Sequence, residues 1–165
     1  MNKGSDWPNT GREEYTMQHD YPTYIDNAIS WATQRLGATD YTTLCLAFVE
    51  DAYERANSVE IFAGDFAAES GDIYSEHMRD GVPEIGSFVF YDCDGVIEGK
   101  ERNWGHVALA MSNGDVIHAW DKVRVDNYLD IENLVGGPGW ARPTYRGWVP
   151  KERIFLGARP RDWDL

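Results

Sequence analysis

The sequence predicts an α+β domain, and three observations carry that prediction. Apolar residues recur at helical spacing only in the first half of the chain. From Pro83 onward the pattern changes to short aromatic and β-branched runs broken by Gly, Asn and Asp. The 165 residues carry no internal repeat and no low-complexity tract, so one domain with one sizeable core is expected. Helices first and strands after place N-terminal helices on one face of an antiparallel β-sheet.

Residues 1–22 are polar and aperiodic and read as an N-terminal tail or surface-packed arm, leaving 23–165 as the domain. Thr23 and Asp26 have the spacing of a capping box. Behind them Ile25, Ala28, Ile29, Ala32 and Leu36 keep the helical period until Gly37 stops it. A second helix runs from about Thr43 to Ala56, with Cys45, Phe48, Val49, Ala52 and Ala56 on one stripe. A third covers roughly 65–79, with Gly71 as its weak point. Ser87–Tyr91 reads as a buried strand and 92–103 as a polar, Gly-containing loop. Strands follow at Gly105–Met111 and Asp115–Trp120, then near Val123–Val125. Gly136-Gly-Pro-Gly is a loop, and Tyr145–Val149 is a last strand.

Charge narrows the partners. The formal net charge is −13, which removes the basic footprint that nucleic acids and anionic membrane surfaces require. No apolar run approaches a membrane span. The first residues hold no apolar signal core, which leaves a cytoplasmic protein, export by another route, or a mature form with its signal removed. Two cysteines, Cys45 and Cys93, permit one disulfide but no disulfide framework.

The chemistry lies in one cysteine and two histidines. Cys45 begins an amphipathic helix, where N-terminal N–H groups and the helix dipole favour a thiolate and offer donors to an oxyanion. His106 opens one strand and His118 lies on the next, with Ser112-Asn113-Gly114 between. A two-residue turn at Asn113-Gly114 sets Leu109 opposite His118 and turns the imidazoles to opposite faces. A three-residue loop with a left-handed Gly114 sets Ala108 opposite His118. It leaves His106 diagonal to His118, roughly 7 Å away at the backbone. Both imidazoles then share a face with Ala108 and Ala110, and Val107, Leu109, Met111, Ile117 and Ala119 form the other. The small alanines invite the Cys45 helix to pack on the histidine face. There His106 takes the thiol proton and His118 fixes its tautomer.

At these residues the chain resembles the NlpC-type family of papain-like cysteine peptidases, which cleave bacterial cell-wall peptides. The shared pattern runs over Leu36-Gly37 with Tyr41, Cys45-Leu-Ala-Phe-Val, Pro83-Glu-Ile-Gly-Ser-Phe-Val-Phe-Tyr, His106-Val-Ala-Leu-Ala and Val116-Ile-His-Ala, covering roughly 24–150. The resemblance implies a papain-like fold and a peptidoglycan endopeptidase cutting between D-glutamate and the diamino acid. It implies Cys45 as nucleophile, His106 as base and His118 as third member, with Tyr41 near the oxyanion site. It further implies a secreted or wall-associated monomer that needs no metal or organic cofactor. Leu44-Cys45-Leu46-Ala47 replaces the family's Asp-Cys-Ser-Gly, and Ser87 replaces an Asp, so the bond cleaved is open. Gly105-His-Val-Ala is also similar to CHAP-type amidases, whose third member is often acidic or Asn. Asp121, opposite His106 in the two-residue register, is the alternative third member. A CHAP-like amidase, a toxin acting on another amide, and an inactive wall-binding module remain as alternatives.

Other features weigh less. Cys93 lies in Tyr91-Asp-Cys-Asp-Gly without a helix to activate it and reads as inert. Asp92 and Asp94 form an ordinary Asp-Gly turn, and His19 and His77 lack metal-ligand partners at useful spacing. Trp104, Trp120, Trp140 and Trp148 serve core packing or a substrate groove. Trp104 and Trp120 flank the histidines and are the best groove candidates.

Overall fold

The computed structural model describes residues 19–165. The expected tail therefore lies mostly outside the described residues, but its last four belong to the domain. Helix α1 spans Tyr21–Thr33, and His19 stacks against Tyr21 and Phe155. Asp20 is the N-cap: its carboxylate accepts from Thr23 N–H at 3.2 Å and from Thr23 Oγ1 at 2.8 Å. The cap thus falls three residues before the expected Thr23, because Tyr21-Pro22 suits a first helical turn, where no backbone donor is needed.

Helix α2 spans Cys45–Asn57 and ends at Ser58 in the left-handed region, φ 52°. Strand β1, Val59–Glu60, follows. Helix α3 covers only Ala67–Ile73, with a 3₁₀ turn at Ser75–His77, so the helix expected over 65–79 is shorter. Gly71 is buried within it, where a Cβ would stand 2.7 Å from the Arg146 guanidinium.

The central sheet contains β2 (Phe88–Asp92), β5 (His106–Ala110), β6 (Asp115–Ala119), β7 (Val123–Asn127) and β8 (Thr144–Val149). Their order is β7-β6-β5-β2-β8, antiparallel throughout. The segment expected to be a loop is instead a hairpin outside this sheet, β3 (Asp94–Ile97) paired with β4 (Lys100–Asn103). Its charged, Gly-containing strands show too little apolar alternation to read as strands. After α4 (Lys151–Ile154), β9 (Arg159–Pro160) returns to pair with β1.

The two sheet faces differ. On one, α1 and α2 bury Ile25, Ala28, Phe48, Val49, Ala52 and Tyr53 against Phe88, Phe90, Val107, Leu109 and Ile117. On the other, Val89, Tyr91, Ala108, Ala110, Val116 and Trp148 pack with Ile131, from the 3₁₀ turn Asp130–Asn133. The β5–β6 register is Leu109↔Ile117 and Ala110↔Val116, so Ala108 faces His118 across a three-residue loop with Gly114 at φ 81°. Both histidines share a face, but it is not the face under α2. The helix takes the greasy side, since its own stripe is aromatic and aliphatic, and the alanines make room for imidazoles and Trp148 instead.

Candidate active site

Cys45 is the first residue of α2 and His106 the first of β5, and the two line one cleft. Although α2 packs on the other sheet face, Cys45 and His106 each stand at the terminus of their element, and both line this cleft. Gly105 lets the start of α3 pack closely against the start of β5. It has φ +71°, and a Cβ there would meet Ala68 N at 2.6 Å. Ala68 N–H in turn donates to Trp104 O at 2.9 Å, pinning α3 against the start of β5.

Behind His106 runs a chain of short hydrogen bonds. His106 Nε2 lies 2.8 Å from His118 Nδ1, and His118 Nε2 lies 2.7 Å from Asp126 Oδ2. Arg124 holds that carboxylate with Nε to Oδ2 at 2.8 Å and Nη2 to Oδ1 at 3.1 Å. The tautomers follow from the far end. The hydrogen bond from His118, with help from Arg124, holds Asp126 below the usual carboxylate range, so it is an acceptor only. His118 must then donate from Nε2 and accept at Nδ1, and His106 must donate from Nε2. Burial holds both imidazoles below the ordinary histidine value, His106 well below it. Neutral His106 is left with a bare Nδ1, the nitrogen available to a thiol proton.

Burial likewise pushes the Cys45 thiol up, to about 11. The backbone N–H groups of Val107, Leu46 and Cys45 itself oppose that rise by favouring the thiolate. Burial thus favours the neutral thiol and the neutral imidazole, against the thiolate that a helix N-terminus alone would favour. The same amides offer donors to a developing oxyanion.

The cleft has a volume of about 340 Å³. Trp104 and Trp120 line it, as the sequence offered, and Trp140 joins them. Trp120 meets His106 edge-on, with centroids 5.1 Å apart, and Phe66 meets Trp104 likewise at 5.1 Å. Two glycines seat Trp140: a Cβ at Gly95 would overlap its ring, and one at Gly136 would stand 2.7 Å from its Cβ.

Two expectations are corrected. Tyr41 is not among the cleft-lining residues. Its hydroxyl donates to Asp51 Oδ2 at 2.8 Å, its ring packs on Trp31 and Phe48, and burial pushes its phenol up to about 12. Asp121 does not stand behind His106: it accepts from Arg124 Nη1 at 3.3 Å, and the place beside His106 Nε2 belongs to His118. Trp148 is buried in the sheet face away from α2, with its indole N–H donating to Asp80 O at 3.0 Å. Cys45 and Cys93 are both free, and Cys93 is buried with its sulfur 3.4 Å from Ala141 O.

Asp126 and Arg124 were not singled out in the sequence. A signal existed: in β7 they alternate with Val123 and Val125, and register pairs Arg124 with His118. The residues together form a thiol–imidazole–imidazole–carboxylate array at the mouth of an antiparallel sheet, which defines a candidate thiol-hydrolase site.

No protein-family model and no curated protein matches this chain. Among solved structures it is similar to RipD from Mycobacterium tuberculosis, described as a non-catalytic NlpC/p60 domain protein adapted to peptidoglycan binding. Identity is 15%, the match covers 79% of this chain and 98% of that chain, and the TM-score is 0.41. The likeness is distant. None of its described helices is long and apolar enough to cross a membrane.

Proposed function

We propose that this protein is a thiol hydrolase of amide bonds, with Cys45 as nucleophile and His106 as base. The observation that carries the reading is the directed proton path. Asp126 fixes His118, His118 fixes His106, and the one imidazole nitrogen left bare belongs to the residue that shares a cleft with Cys45. As the Cys45 sulfur attacks a carbonyl carbon, its proton passes to His106 Nδ1. The oxyanion meets the amides at the start of α2. Collapse breaks the C–N bond, His106 returns the proton to the leaving amine, and water, deprotonated by His106, frees the acid from the thioester. Trp104 and Trp120 hold the substrate.

Peptidoglycan stem peptides are the substrate to which the sequence resemblance points, at the D-glutamyl–diamino acid bond, with action at the cell wall. The test is digestion of purified peptidoglycan by wild type and Cys45→Ala, with products identified by mass spectrometry. New muropeptides from wild type alone are expected. Intact glycan strands and peptides after both treatments would remove the wall as substrate.

A second reading, a non-catalytic peptidoglycan-binding module, is favoured by one observation: the thiol is pushed up to about 11, away from the thiolate that a poised nucleophile needs near neutrality. RipD is described as having such a role. Sedimentation with insoluble wall by both wild type and Cys45→Ala, without product release, would support it.

A further inference from the structure

The lining of the cleft is apolar, and its charge is of one sign. Leu44, Phe66, Ile97, Trp104, Trp120 and Trp140 supply an apolar, aromatic wall, and the only ionisable side chains among the lining residues besides Cys45 and His106 are two carboxylates, Asp65 and Asp121. No Lys or Arg lines it among the described residues. The neighbouring guanidiniums are engaged: Arg102 stacks on the rings of Phe66 and Trp104, and Arg124 is held by Asp126 and Asp121. The wall is also built rather than incidental. Trp140 is fixed against Gly95 of the β3–β4 hairpin and Gly136 of the following loop, beside Trp120. A substrate carboxylate entering here would find no cation among the lining residues and would face Asp65 and Asp121, the second of them shared with Arg124.

We infer that the cleft admits substrates whose acyl group is uncharged and apolar or aromatic beside the scissile carbonyl, and excludes those with a free carboxylate there. The inference rests on Cys45 being the group that such substrates approach. For a wall peptide it requires the free carboxyl of a D-glutamyl residue to be masked as its amide.

Three alkylating reagents test it without needing turnover: iodoacetamide, iodoacetate and N-benzyliodoacetamide. Each rate at Cys45 is read by site-resolved mass spectrometry at pH 8 and divided by that reagent's rate with 2-mercaptoethanol. The benzyl reagent should react about tenfold faster than iodoacetamide, as expected for burial of an aromatic ring. Iodoacetate should react about tenfold slower, as expected for a carboxylate that finds no cation in an apolar cleft flanked by two acids. Asp65→Asn with Asp121→Asn should recover most of the iodoacetate rate. Equal normalised rates, or no labelling by the benzyl reagent, would overturn the inference. So would an iodoacetate penalty that survives in the double variant but disappears in 0.5 M salt, since that assigns it to the overall charge. Selective alkylation without hydrolysis of any amide would sink the proposed activity and leave the cleft's preference standing.

Discussion

The two faces of the central sheet are built on opposite logics. Under α1 and α2 the contacts are apolar and redundant, with Phe48, Val49, Ala52 and Tyr53 locked against Val107, Leu109 and Ile117. The opposite face has a smaller apolar cluster beside His106, His118, Asp126 and Arg124, linked in series so that each depends on the next. Redundant dispersion and burial hold the fold, and one missing contact is a matter of degree. A serial polar chain fixes tautomers, and one missing member changes what all the others can do.

Substitutions on each face sharpen the contrast. The largest loss of stability is expected from Phe48→Ala, which empties a fully buried site under α2. It should cost about 3–5 kcal/mol, read by urea unfolding. Val116→Ala on the opposite face removes fewer atoms and should cost about 1–2 kcal/mol by the same measurement. If the two costs were equal, the helix face would not be the dominant core.

Asp126→Asn should reverse the ranking, with a smaller loss of stability than Phe48→Ala and a clear loss of turnover. Its pH profile separates positioning from mere structure. The Asp126 carboxylate pulls His106 and His118 upward against burial. Removing its charge lets both fall further, so the acid limb of activity should move to lower pH while the plateau drops. An unmoved limb would mean that Asp126 only braces β7. Folding should respond in acid as well. The unfolded chain takes up protons near pH 6.5 that the buried, neutral imidazoles refuse, so stability from these groups is present above that pH and declines below it. The depressed Asp126 adds its own loss as the pH falls through the carboxylate range.

What the sequence showed follows the same division. The helical stripe of α2 and the three-residue β5–β6 register were legible because hydrophobic period and turn chemistry are local signals. The choice of face was misread, since alanines admit a close helix or a close imidazole equally well, and the α2 stripe decided for the greasy side. Asp126 lay outside the reading because its partner is fixed only once β6 and β7 pair as His118↔Arg124 and Val116↔Asp126. Tyr41 sat at the right distance in sequence from Cys45 but turns to Asp51. The β3–β4 hairpin, which seats Trp140, was hidden by strands too polar to show a core face.

The most direct test is to trap the reaction at the sulfur. Wild type and His106→Ala are mixed with an uncharged aromatic peptide ester, quenched in acid, and their intact masses measured. Wild type should carry one acyl group, mapped to Cys45 by digestion, and His106→Ala should lose about 10²–10⁴ in acylation rate. An acyl group at another residue, or equal acylation of both proteins, would contradict a Cys45 nucleophile served by His106.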